Sequence, residues 1–139
     1  MQRARRGGER IALVMFDIDY FKQVNDAHTD HQFGDRVLRE LCQVILSVLR
    51  PFDLLSRYGG EEFVLVLALN DGKDSALTAC ERVRVAVEEH VFESGLRLTV
   101  SMGVAVCPDD GTALEDLIKR SDEAMYRAKA AGRNRVELA

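Results

Sequence analysis

The sequence predicts an α+β domain, a mostly antiparallel sheet with helices packed against it, and three observations carry that expectation. Two apolar runs, Ile11 to Phe16 and Phe63 to Leu69, are too short to span a membrane and have the length of buried strands. A third stretch sets Leu96, Leu98, Val100, Met102, Val104 and Val106 in strict alternation, the two-residue period of a strand or hairpin with one buried face. Between these runs lie segments whose apolar residues recur at three- and four-residue intervals, the stripe of a packed helix. The order strand, helices, two strands around a turn, helix, paired strand, helix, short strand points to one sheet with helices against it.

The 139 residues make one domain (1–139), and an apolar content of 47% suffices for its core. The opening, Met1 to Arg10, reads as the last turn of a helix ending at Gly7-Gly8, with the arginines at 3, 5, 6 and 10 as its solvated end. After the first strand comes a segment with helical spacing, then a polar loop from Asp26 to Asp35. That loop holds His28 and His31 among carboxylates, but without the soft or paired ligands of a zinc site. A helix follows from about Gly34 to Leu49, with Val37, Leu38, Leu41, Cys42, Ile45 and Leu49 on one face and Asp35 as a possible N-cap. Pro51 stops it. The Gly59-Gly60 turn joins two strands, and the next helix covers about Asp74 to Val91. In the alternating strand Gly103 allows a bend or a close approach. Pro108 to Gly111 turns the chain into a helix capped at Thr112, which places Leu114, Leu117, Ile118, Ser121, Met125 and Ala128 on one face and ends around Gly132. Val136 to Leu138 is a last short strand.

A net charge of −4 argues against a nucleic-acid binder or a membrane-surface protein, both of which lean on basic surface. No run of 18 apolar residues and no signal peptide is present, so the expectation is a soluble, cytoplasmic piece whose parent protein could still be membrane-attached. Cys42, Cys80 and Cys107 are odd in number and widely spaced, as reduced core thiols are.

The chemistry gathers at Arg57-Tyr58-Gly59-Gly60-Glu61-Glu62-Phe63. Two glycines leave no side chain where a bulky ligand would lie, and two carboxylates put negative charge beside that space. Taken alone, this is either a solvated hairpin tip or a charged site. Asp17, at the carboxyl end of the first strand, supplies a second carboxylate. Mg²⁺ prefers one or two carboxylates completed by phosphate oxygens, so Asp17 and a hairpin glutamate on neighbouring strands would suit it. The amides of the turn from Tyr20 to Lys22 would face phosphate.

These residues resemble a known family, the GGDEF-domain diguanylate cyclases. The likeness rests on Gly59-Gly60-Glu61-Glu62-Phe63, on Asp17-Ile18-Asp19-Tyr20-Phe21-Lys22 with Asn25-Asp26, on Gly34-Asp35, and on Ala128-Lys129-Ala130-Ala131-Gly132-Arg133-Asn134. It implies a fold similar to the palm of nucleotide cyclases and polymerases, with a ferredoxin-like core. It implies condensation of two GTP molecules into cyclic di-GMP in a homodimer. Asp17, Glu61 and the Ile18 carbonyl would bind Mg²⁺, or Mn²⁺, and Glu61 or Glu62 would take the proton. Asn25 and Asp35 would hydrogen-bond the guanine edge, with His31 nearby in the substrate site. Phe21, Lys22, Gly59, Gly60, Lys129 and Arg133 would line the rest of the substrate site. Arg50 and Asp53, at the family's Arg-x-x-Asp spacing, with Arg82, would form an inhibitory product site. The chain departs from the family at Asp30, where a glycine is usual, in a loop one residue longer. It also lacks the family's fuller opening helix with its Asp-x-Leu-Thr motif, which reads as a truncation from an N-terminal sensory or receiver module. The alternative the sequence leaves open is a weak or inactive domain that binds GTP or cyclic di-GMP and signals to a partner.

Overall fold

In a computed structural model, which describes residues 10–27, 30 and 32–139, the chain runs β1 (Arg10–Ile18), α1 (Phe21–Asp26), α2 (Phe33–Val48), β2 (Leu54–Gly59), β3 (Glu62–Leu69), α3 (Lys73–Glu89), β4 (Val100–Cys107), α4 (Leu114–Ala130) and β5 (Arg135–Leu138). The strands form one sheet in the order β2-β3-β1-β4-β5. The first four pair antiparallel, and β5 lies parallel to β4. Up to β4 this is the ferredoxin-like arrangement, and α4 with β5 extends it. The expected α+β class holds.

The central strand explains the layering. Along β1 every second residue points the same way, so Ala12, Val14, Phe16 and Ile18 join the core built with α2 and α3, while Leu13 and Met15 join Leu117 and Met125 of α4. A strand covered on both faces needs no polar side, which is why Ile11 to Phe16 reads as an unbroken apolar run. Phe16 also stacks on Phe63 of β3, ring centroids 5.3 Å apart.

Four local expectations are corrected. The alternating stretch from Leu96 does not form a strand with one buried face: β4 begins only at Val100, after a 3₁₀ turn at Glu93–Gly95, and all eight of its residues are buried. The residues between the large ones, Ser101, Gly103, Ala105 and Cys107, are small because α4 lies close on them. A Cβ on Gly103 would stand 2.0 Å from the Ser121 carbonyl oxygen and 2.2 Å from the Met125 nitrogen. Thr112 does not cap α4, whose cap position is Ala113. Asp35 is the third residue of α2, with Gln32 at the cap. Arg10 opens β1, its Nε donating to Asp109 at 2.8 Å, where a helix end was expected. The helix end placed at Gly7-Gly8, with Arg3, Arg5 and Arg6, falls outside the described residues. Cys42, Cys80 and Cys107 are unpaired thiols. Among the described residues no helix is long and apolar enough to cross a membrane.

Gly103→Ala should lower unfolding stability by about 3 kcal/mol, because backbone on both sides leaves no room to yield. Gly59→Ala, where a Cβ meets nothing within 4 Å, should stay within about 0.5 kcal/mol of wild type. Urea unfolding of the two variants checks this, and equal midpoints would contradict the close helix approach.

Candidate active site

The periodicity that turns Leu13 and Met15 toward α4 turns Asp17 the same way, at the end of β1. Lys129, in the last turn of α4, donates from Nζ to Asp17 Oδ2 at 2.5 Å. The Asp17 side chain is only 7% exposed, and its Oδ1 is buried with no hydrogen-bond partner. Asp17 faces Glu62 across the β1–β3 ladder and Ser101 across β1–β4. Glu61 sits in the turn immediately before Glu62. In that turn Gly60 has φ +51, a value that favours glycine, and a Cβ added at Gly59 or Gly60 would meet nothing within 4 Å. The turn is closed by Arg57 Nε donating to the Gly60 carbonyl at 2.7 Å. The two glycines thus front open space beside the carboxylates.

The Glu61 carboxyl is held above the ordinary carboxylate range, first by burial and then by the negative charge of Asp17, with Glu62 adding to it. Lys129 and Lys22 act against the rise without cancelling it. The cluster is short of positive charge. Among the described residues no three His, Cys, Asp or Glu side chains group to hold a metal ion. What this end of the sheet offers is a pair of hard carboxylate donors, one with a buried orphan oxygen, and the adjacent Ile18 carbonyl. That set fits Mg²⁺, which completes its shell with water and phosphate, better than a metal needing an all-protein cage.

Toward α1 and α2 the site continues. Asn25 is exposed in the last turn of α1, and Gly34 makes room for its carboxamide, since a Cβ there would stand 2.5 Å from Asn25 Oδ1. Asp35 is exposed in the first turn of α2 and lines a hollow of about 500 Å³ with Leu38, Cys42, Arg57 and Phe63, which joins it to the base of the hairpin. Asp30 accepts the Gln32 N–H at 2.9 Å and pairs with Arg36 at 2.8 Å, tying this loop to α2. His31 lies outside the described residues. Phe21 is in the core, 7% exposed, so at the turn it presents its backbone, and Lys22 is exposed. Arg133, just past α4, lies with its guanidinium 4.5 Å over the Tyr20 ring and 3.7 Å from Asp19.

At the opposite end of β3 a second group forms. Asp53, its side chain 3% exposed, accepts the Arg50 backbone N–H at 2.9 Å, and its Oδ1 has no hydrogen-bond partner. Arg50 donates to the Ala68 carbonyl at 2.5 Å. Arg50, Asp53 and the exposed Arg82 of α3 line one hollow of about 450 Å³. Larger hollows of about 780 Å³ between α2 and α3 and about 740 Å³ beside the turn after β4 are lined by none of the candidate site residues.

Residues 1–135 match the family profile of the diguanylate cyclase GGDEF domain. The chain belongs to the GGDEF family. It is 42% identical to response regulator PleD of Caulobacter vibrioides over 98% of its own length and 31% of that protein's. It is 46% identical to diguanylate cyclase DgcM of Escherichia coli over 90% of its length and 30% of that protein's. The chain thus spans about a third of these curated relatives. Among solved structures it is similar to the GGDEF domain of YfiN from Pseudomonas aeruginosa (TM-score 0.90, 30% identity, 99% of this chain and 87% of that one). It is also similar to the GGDEF domain of DgcB from Caulobacter crescentus, solved in complex with c-di-GMP (TM-score 0.85, 35% identity, 99% and 82%).

Within this GGDEF domain one buried carboxylate carries contacts the sequence reading did not assign. Asp19 accepts hydrogen bonds from Thr99 Oγ1 and Ser101 Oγ, each at 2.7 Å, and from the Asn134 N–H at 3.0 Å. The available signal was its spacing, two residues beyond Asp17 on the same face.

A carboxyl whose pKa is raised by folding binds its proton more tightly in the fold, so its ionisation costs stability above that range and costs nothing below the unfolded value. In buffer free of divalent cations, Glu61→Gln should therefore melt at a higher temperature than wild type at pH 7. The gain should vanish as pH falls below the ordinary glutamate range. Thermal melts across pH measure it, and a Glu61→Gln domain no more stable at pH 7 would remove the charge crowding described above.

Proposed function

We propose that this GGDEF domain is a diguanylate cyclase that condenses two GTP molecules into cyclic di-GMP and two pyrophosphates. The observation that carries the reading is Asp17, buried with an orphan oxygen, set against Lys129 and the open Gly-Gly-Glu-Glu hairpin. Relatives named diguanylate cyclases at 39–46% identity support it. Each domain holds one GTP, and two domains face each other as a homodimer. The 3′-hydroxyl oxygen of one nucleotide bonds to the α-phosphorus of the other, the bond to the β-phosphate oxygen breaks, and pyrophosphate leaves. The same step in the other direction closes the ring.

The residues divide the work. Lys129 and Arg133 hold phosphate oxygens through charge-assisted hydrogen bonds. Asn25 and Asp35, with His31, read the guanine edge. Gly59 and Gly60 leave the space in which the nucleotide lies. Glu61 takes the hydroxyl proton, with Glu62 the alternative. Bound Mg²⁺, or Mn²⁺, would neutralise charge on the triphosphate, with Asp17, Glu61 and the Ile18 carbonyl as its protein ligands. Arg50, Asp53 and Arg82 would seat the product for feedback inhibition, the arginines on phosphate and guanine. A sensory or receiver module preceding the domain in the parent protein would set its output, in the cytoplasm where GTP is available.

Incubation with GTP and Mg²⁺, after stripping bound nucleotide, should give cyclic di-GMP on chromatography. Asp17→Ala and Glu61→Ala should each lower the yield by a factor on the order of a hundred or more while leaving the domain folded. Full activity in either variant would sink the assignment. A wild-type chain that retains cyclic di-GMP tightly and makes none would instead be a receptor. Arg50→Ala should keep turnover but continue to accumulate product at concentrations that silence wild type, read from progress curves with added cyclic di-GMP.

A further inference from the structure

Among the described residues four non-glycine positions have positive φ, and three of them surround one carboxylate. Tyr20 (φ 59), Arg133 (φ 65) and Asn134 (φ 46) all adjoin Asp19. Tyr20 follows it in the chain, Asn134 donates its backbone N–H to Asp19 Oδ2 at 3.0 Å, and Arg133 Nη1 lies 3.7 Å from Oδ1. The left-handed conformation crowds Cβ against the backbone, so such residues persist where the surroundings hold them, and they concentrate at functional sites.

What holds them is visible in the contacts. The Asp19 side chain is 1% exposed. Its N–H donates to the Thr99 carbonyl at 2.9 Å, and its oxygens accept from Thr99 Oγ1 and Ser101 Oγ at 2.7 Å each. Both oxygens are engaged, which separates Asp19 from Asp17 and its orphan oxygen. On the other side, the Asn134 carboxamide is tied to α3: its Oδ1 accepts from Arg84 Nη1 at 2.9 Å and its Nδ2 donates to Glu88. Arg84 is itself fastened by Nε and Nη2 to Glu81, at 3.0 and 2.9 Å. Arg133 lies between these anchors, its guanidinium over Tyr20 and too far from Asp19 for a hydrogen bond, so its donors stay available to a ligand.

We propose that Asp19 and Asn134 are positioning residues that fix the left-handed Arg133–Asn134 backbone and thereby aim the Arg133 guanidinium at the phosphate end of the substrate site, with Arg84 and Glu88 of α3 anchoring the Asn134 carboxamide. This rests on the reading of Arg133 as a ligand of the GTP phosphates. An arginine whose backbone is already set loses less freedom when it grips an anion, so the clamp raises affinity for the triphosphate without touching it.

Titration calorimetry with Mg²⁺ and two probes, a GTP analogue with a non-cleavable α–β bridge and guanosine, tests it on the purified chain. Asp19→Asn and Asn134→Gly are compared with Arg133→Ala. The glycine keeps the left-handed backbone free of strain and removes only the ties to α3, so it reports even where Asp19→Asn fails to fold. The expected result is analogue affinity roughly three- to tenfold weaker in Asn134→Gly, and in Asp19→Asn where it folds, with guanosine binding unchanged. Wild-type analogue affinity in Asn134→Gly, alongside weakened binding in Arg133→Ala, overturns the positioning role alone. Unchanged affinity in Arg133→Ala overturns the phosphate reading beneath it. Equal loss of guanosine and analogue in Asn134→Gly means a general structural role and also overturns the proposal.

Discussion

Everything at the carboxylate-bearing end of this domain depends on one constraint, that the central strand β1 is covered on both faces. A strand between two helical layers must send alternate side chains into each. The even positions from Ala12 to Ile18 fill the larger core, and the odd positions from Leu13 run out under α4. Asp17 and Asp19 continue that odd row after the apolar residues stop. Two carboxylates therefore emerge at a place where burial makes them expensive unless cations or donors meet them. Lys129 meets one, and Thr99, Ser101 and Asn134 meet the other.

The close seat of α4 on β4 is the second half of the same arrangement. Gly103 lets the helix backbone approach the sheet, and with it the helix end that carries Lys129 and leads to Arg133. A bulkier β4 surface would lift that end away from Asp17. The packing of small residues in the middle of the molecule and the charge pairing at its end are one geometric fact.

Much of this was legible in the sequence, and the parts that were not share a cause. Asp17 at a strand end, the Gly-Gly-Glu-Glu turn and the amphipathic α2 are local signals, set by neighbours within a few residues. Arg50, Asp53 and Arg82, which come from two different stretches of chain, line one hollow. The contacts of Asp19 were not legible beyond its spacing from Asp17, because its partners lie 80, 82 and 115 residues away. β4 was misread because small residues between large ones look like a solvent face, while here they mark a helix pressed close. The Thr112 cap failed by one residue, at the kind of boundary where local rules are weakest.

The hollow around Arg50 and the carboxylates around Asp17 stand at opposite ends of β3, about 20 Å apart by strand rise. They share no side chain. A sequence drifting over time can lose either group without disturbing the other, so the two ends of the sheet can diverge independently around one unchanged core.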